Sequence, residues 1–183
     1  YQKIEPNRRY FFFFLKWSVQ PFETVHDAPG SVGFFISDEK DSLVFITDTA
    51  YCKYTFPFIT ILMIEANYSE DILAANIEAG RIDPARAKRV RENHLSIERV
   101  IELLRANDRS RLREVRLLHL SDGNSDEALF KEMVKKVVGV PVCVESGGDP
   151  VFKAETSGKN AACIAAKQAY LAEIAAIDNV SRA

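Results

Sequence analysis

Five strand-like apolar runs follow one another in the first 66 residues, and helical spacing begins only after them. Tyr10 to Trp17 is nearly all aromatic or apolar, as expected of a strand buried on both faces. Val19 to Val25 alternates more and runs into His26-Asp27, where Ala28-Pro29-Gly30 breaks the chain. Ser31 to Ser37 is a third β-rich run, and the polar turn Asp38 to Asp41 leads to a fourth, Leu43 to Thr47, which closes on Asp48. Ile59 to Ala66 is the fifth.

From Ser69 the period changes. Ser69 is a candidate N-cap for a helix with Ile72, Leu73 and Ile77 on one face, and Gly80 suits its end. Pro84 suits the first turn of a second helix running towards Asn93. Ser96 to Ala106 repeats Ile97, Val100, Ile101 and Leu104 at helical spacing. Val115 to Leu120 then reads as a buried strand containing His119. Ser125 to Val138 is an amphipathic helix with a Leu129, Met133 and Val137 stripe, and Pro141 to Val144 is a last strand. Strands first, then helices between strands, suit a sheet covered by helices, an α/β (α+β) domain over residues 1–145. Residues 146–183 read as a Gly/Ser linker followed by an Ala-rich helix within Asn160 to Asp178, with Ile164, Leu171 and Ile174 available for docking.

Composition narrows the class. A formal net charge of -2 argues against a dedicated nucleic-acid binder, although Arg81 to Arg116 carries eleven Lys or Arg against six Asp or Glu. That excess favours a polyanionic substrate or is a set of solvated helix faces. No aromatic residue interleaves it, which argues against a single-strand stacking platform. Phe11 to Leu15 is far too short to span a membrane, and no signal peptide is visible. Cys52, Cys143 and Cys163 are scattered and odd in number, which suits small buried hydrophobes in a reducing cytoplasm better than a disulfide framework.

The chemistry-bearing residues stand where strands end. His26 follows one run, Asp48 closes another and His119 ends a third, while His94 lies at a helix boundary in Asn93-His94-Leu95-Ser96. Imidazole and carboxylate at a sheet rim suit zinc; a histidine taken singly is more often a hydrogen-bonded structural residue, and two histidines with one aspartate after apolar strands read equally either way.

Three segments carry a resemblance. His26-Asp27-Ala28-Pro29-Gly30-Ser31-Val32-Gly33-Phe34, Phe45-Ile46-Thr47-Asp48-Thr49 and Leu117-Leu118-His119-Leu120-Ser121-Asp122-Gly123-Asn124 resemble the third, fourth and fifth metal-binding motifs of the metallo-β-lactamase superfamily. Ile64-Glu65-Ala66-Asn67-Tyr68 and Asn93-His94-Leu95-Ser96 are similar to segments of its phage-type and exonuclease-like branch. The resemblance implies the second half of an αββα sandwich, a mostly antiparallel or mixed sheet flanked by helices, and a zinc-dependent hydrolase of phosphodiesters or nucleic acid. His26, Asp48 and His119 would be metal ligands, Asp48 bridging two zinc ions. Asp48 and His94 would be catalytic, and Asp27 and Asn67 would stand behind the ligands or beside the substrate. Ser121 and Asn124 would cap the following helix. The superfamily's H-x-H-x-D-H loop has no counterpart among the three histidines here. Together with the start at Tyr1, its absence implies a truncated reading in which the 183 residues alone bind zinc weakly and turn over poorly. The alternatives are a non-catalytic remnant that acts as a binding module, or a chain completed by a missing N-terminal segment or a homo-oligomer.

Overall fold

The computed structural model describes residues 5–12 and 16–145. The expected linker and tail helix of residues 146–183 lie outside them, as does Cys163. Seven strands form one sheet in chain order: β1 (Tyr10–Phe12), β2 (Trp17–Glu23), β3 (Val32–Ser37), β4 (Ser42–Ile46), β5 (Ile61–Glu65), β6 (Glu114–Leu118) and β7 (Val142–Val144). The first three pairings are antiparallel and the last three parallel. The helices are α1 (Glu70–Glu78), α2 (Pro84–Asn93) and α3 (Ile97–Ala106) between β5 and β6, and α4 (Glu127–Val138) between β6 and β7. The order of runs predicts the helix-covered α/β sheet, and its mixed strand directions, half antiparallel and half parallel, are within what the resemblance implies.

The sheet buries one face more deeply. Phe22, Phe35, Val44, Ile46, Leu62, Ile64, Val115 and Leu117 form a core with Ile97, Val100 and Leu104 of α3 and Phe130 and Val134 of α4. The alternate positions Phe34, Ile36, Leu43, Phe45, Ile61 and Met63 are half-buried, the period-2 pattern of a pleated strand. A second, smaller cluster of Tyr68, Leu73, Ile82 and Ala87 joins α1 to α2.

Caps follow local chemistry. Asp83 accepts from the Ala85 and Arg86 amides ahead of Pro84, and Ser96 accepts from the Arg99 amide. Ser69 precedes α1 as expected, yet its hydroxyl donates to Glu98 Oε1 (3.0 Å) instead of capping the helix with its side chain. Gly80 takes φ +65° just past α1, the left-handed turn that glycine makes without a Cβ clash.

Four expectations fail. The Tyr10 to Trp17 run is two paired strands, Phe12 facing Trp17 across the reversal, and Phe11 is 61% exposed on the edge strand. A run that is apolar except for Lys16 carries no Gly, Pro or Asn turn signal, so the pairing of its two ends is silent in the sequence. The inward face of α4 centres on Phe130 and Val134, with Met133 and Val137 partly buried beside them, and leaves Leu129 exposed. Asp126 caps α4 by accepting from the Leu129 amide (2.9 Å), in place of Ser121 or Asn124. Cys143 is exposed and Cys52 half-buried.

Candidate metal centre

The site forms at one rim of the sheet, where the parallel strands release their C-terminal ends. Asp48 follows β4 by two residues, Glu65 is the last residue of β5, and His119 is the first residue after β6. His94 is the C-cap of α2. The loops that carry them are tied together. The Asn67 amide donates to Leu95 O and the Ile97 amide to Tyr68 O (both 2.9 Å), so the two segments after β5 and α2 run side by side. Across the rim, the Val25 amide donates to Thr49 Oγ1 (2.9 Å) and the Ala50 amide to Val25 O (2.8 Å).

Asp48, Glu65, His94 and His119 place one potential ligand atom each within 4.8 Å of one another. Glu65 is fully buried at their centre. Its Oε1 lies 2.7 Å from His94 Nδ1 and 2.8 Å from His119 Nδ1, and its Oε2 accepts from the Thr49 and Leu95 amides at 3.3 Å. Burial pushes the Glu65 carboxyl up, but hydrogen bonds from His119 and His94 outweigh it and hold the group below its ordinary value. In return, the Glu65 hydrogen bond raises His119 above the usual histidine range. An ionised carboxylate only accepts, so each Nδ1 donates to Glu65 and each Nε2 is left for another partner, carrying the lone pair whenever the ring is neutral. Asp48 Oδ1 lies 3.5 Å from His119 Nδ1.

Two further observations bear on this rim. Asp48 and His119 both adopt φ +53°, left-handed backbone that is uncommon for residues with a Cβ and that Asn7 and Lys16 also adopt elsewhere in the chain. Strain of this kind persists where the surroundings hold it, and it concentrates at functional sites. Second, the imidazoles of His26, His94 and His119 stand in a row, with ring centroids 6.0 and 5.2 Å apart.

The residues expected from the sequence fall into two groups. Asp48, His94 and His119 converge. His26 reaches the same rim but lies outside the tight group, its Nδ1 accepting from the Ala28 amide (2.9 Å). Asp27 Oδ1 is 3.3 Å from His26 Nδ1, and its other oxygen meets Arg89 at 3.3 Å. The buried Asn67 side chain is engaged inside the protein, its Nδ2 donating to His119 O (2.9 Å), so it positions the His119 turn. Glu65 is the residue that sequence reasoning missed. The available signal was the one applied to Asp48 and His119: a single carboxylate closing an apolar strand, Ile-Leu-Met-Ile-Glu.

Imidazole and carboxylate are the donors that suit a divalent cation of the zinc or iron type; Glu65 already accepts from four donors, which leaves Asp48 and the His119 ring to hold one, so the donor types fit the metal that the resemblance implies. Comparison with solved structures shows which fold this helix-flanked mixed sheet has. The metallo-β-lactamase fold protein YhfI from Bacillus subtilis superposes with a TM-score of 0.56 at 15% identity, covering 80% of this chain and 53% of that one. Zinc-bound PqqB from Methylobacterium extorquens gives 0.55 at 18% identity, over 81% of this chain and 54% of that one. CmlA, a diiron β-hydroxylase from Streptomyces venezuelae, gives 0.50 at 14% identity, over 78% and 33%. The chain has the metallo-β-lactamase fold, and it spans about half the length of YhfI and PqqB. No family model and no curated protein sequence matches it. Among the described residues no helix is long and apolar enough to cross a membrane.

Proposed function

We propose that this chain forms part of a metal-dependent hydrolase acting on phosphodiesters. The observation that carries the reading is the buried Glu65 carboxylate, which aims two imidazoles at one rim and leaves both Nε2 atoms available. In this reading His119 and Asp48 hold the cation, and His26 is a further ligand from the neighbouring loop. Zinc at such a site lowers the pKa of a bound water and supplies hydroxide at neutral pH. His94, its Nδ1–H held by the Glu65 carboxylate, takes up a proton at Nε2 from the attacking water and, as the imidazolium, passes it to the leaving oxygen. Glu65 is the orienting carboxylate rather than a ligand, because four donors already engage its two oxygens.

The test is metal content together with hydrolysis of bis(p-nitrophenyl) phosphate, measured on these 183 residues and on a longer chain that includes an H-x-H-x-D-H segment. Turnover is expected in the longer chain and little in the shorter. In the active form, Glu65→Gln should weaken metal binding roughly 10- to 100-fold. His94→Ala should retain metal and lower kcat by a factor on the order of 100 or more. Full metal occupancy without turnover in the longer chain would remove the phosphodiester and leave a metal-binding module.

A further inference from the structure

A groove of about 420 Å³ lies between α3 and the loop that follows Asp48; its lining includes Tyr51, Lys53, Tyr54, Arg99, Glu102 and Asn107. It begins close to the metal centre. Tyr51 is three residues beyond Asp48, so their Cα atoms are at most about 11 Å apart. Thr49, whose amide reaches Glu65, also donates its hydroxyl to Tyr51 O (2.8 Å). On the opposite wall, Arg99 lies one helical turn beyond the Leu95-Ser96 segment that contacts Glu65.

The lining divides into groups already engaged and groups facing outward. Asn107 is buried and committed at both ends, Oδ1 accepting from the Phe56 amide and Nδ2 donating to Leu103 O (both 2.8 Å). Cys52 Sγ lies 3.8 Å from Tyr54 O. By contrast, Tyr51 is 45% exposed. The Arg99 guanidinium sits 5.9 Å from its ring centroid and, among the described residues, makes one hydrogen bond, Nη1 to Ala50 O at 3.0 Å. A guanidinium has five N–H donors, so most remain for a ligand. Lys53 stands 5.3 Å over the Tyr54 ring, with Glu23 at 3.6 Å. Glu102 in the lining and Glu23 on Lys53 offset the two cations, so the attraction for a ligand rests on the uncommitted N–H donors of one guanidinium. One such guanidinium suits a single phosphate better than a polyphosphate.

The basic stretch from Arg81 to Arg116 contains no aromatic residue, and on sequence alone that argues against base stacking. The fold supplies the missing rings from elsewhere, setting Tyr51 and Tyr54 beside Arg99. Aromatic faces interleaved with guanidinium and ammonium are the chemistry that recognises nucleotides in single strands. We propose that this groove seats one nucleotide of a single-stranded nucleic acid next to the scissile phosphodiester, its base on Tyr51 and its phosphate on Arg99 and Lys53. The choice of ligand rests on the phosphodiester reading above.

The experiment is calorimetric titration of the full 183-residue chain with adenosine 5′-monophosphate. A chelator is present, so that phosphate cannot bind through a metal. Binding is expected, about tenfold weaker in Tyr51→Ala and in Arg99→Gln, and retained in Tyr51→Phe, which keeps the ring. All these positions are exposed, and matching circular dichroism spectra confirm that the variants are folded. Unchanged affinity in Tyr51→Ala and Arg99→Gln would overturn the proposal, as would absence of binding, or inorganic phosphate binding as tightly as the nucleotide. The two readings fail separately. Nucleotide binding with no phosphodiester turnover in the longer chain removes the hydrolase and keeps the groove, and turnover without nucleotide binding does the reverse.

Discussion

Asp48 and His119 occupy left-handed backbone at the ends of adjacent loops, and each carries a side chain that the metal reading needs. Asparagine tolerates this conformation about as well as aspartate, whereas a β-branched residue does not. Asp48→Asn should therefore leave the denaturation midpoint of the metal-free chain nearly unchanged while removing zinc binding. Asp48→Val should lose zinc binding and also on the order of 1–3 kcal/mol of stability in urea titration. Equal stability of the two variants would show that the backbone at Asp48 is not strained. The residue scale is also where the sequence was most partial. His94, Asp48 and His119 were visible as polar residues at element ends. Glu65 was passed over because, in one dimension, nothing distinguishes a buried carboxylate holding two imidazoles from a solvated acid at a strand end.

At the scale of elements, the β2–β3 pair shows how tightly the sheet is fitted around small residues. Gly33 lies opposite Phe22, and a Cβ there would meet two Phe22 ring carbons at 2.5 Å and Phe45 O at 3.0 Å. The Phe22 ring in turn packs against Tyr54 and Phe56, with centroids 5.2 and 5.3 Å away, which anchors the loop bearing Tyr51. Gly33→Ala should destabilise the chain by roughly 1–3 kcal/mol through overpacking. It should also increase amide hydrogen exchange in residues 51–56, because the ring that pins them must shift. A wild-type exchange pattern there would show that Phe22 does not hold the loop. Strand and helix existence was readable from period, since β3 to β7 and the four described helices fall where apolar spacing puts them, although α4 is capped by Asp126 and not by Ser121 or Asn124. Errors arose where period is uninformative, at the reversal inside Tyr10 to Trp17 and in the rotation of α4 about its axis.

For the molecule as a whole, the rim joins parts far apart in the chain: the ends of β4, β5 and β6 and the junction of α2 with α3. A cation bound there contacts only the folded state and so must raise stability, by about 2.7 kcal/mol at a hundredfold excess over its Kd. Zinc is expected to raise the Tm of the chain, chelation to restore it, and Asp48→Asn to abolish the shift; a Tm indifferent to zinc would place no metal among these four residues. By itself the sequence determined the order of strands and helices, the mixed α/β class and the strand-end placement of Asp48 and His119. These depend on local period and on residues no more than a few positions apart. Only the tertiary structure decided that Glu65 is shared by His94 and His119, that Asn67 holds the His119 turn, and that Tyr51 meets Arg99 across a groove. Each of those contacts joins residues 25 or more positions apart, and such distances close only when the parallel strands register and bring their ends to one rim.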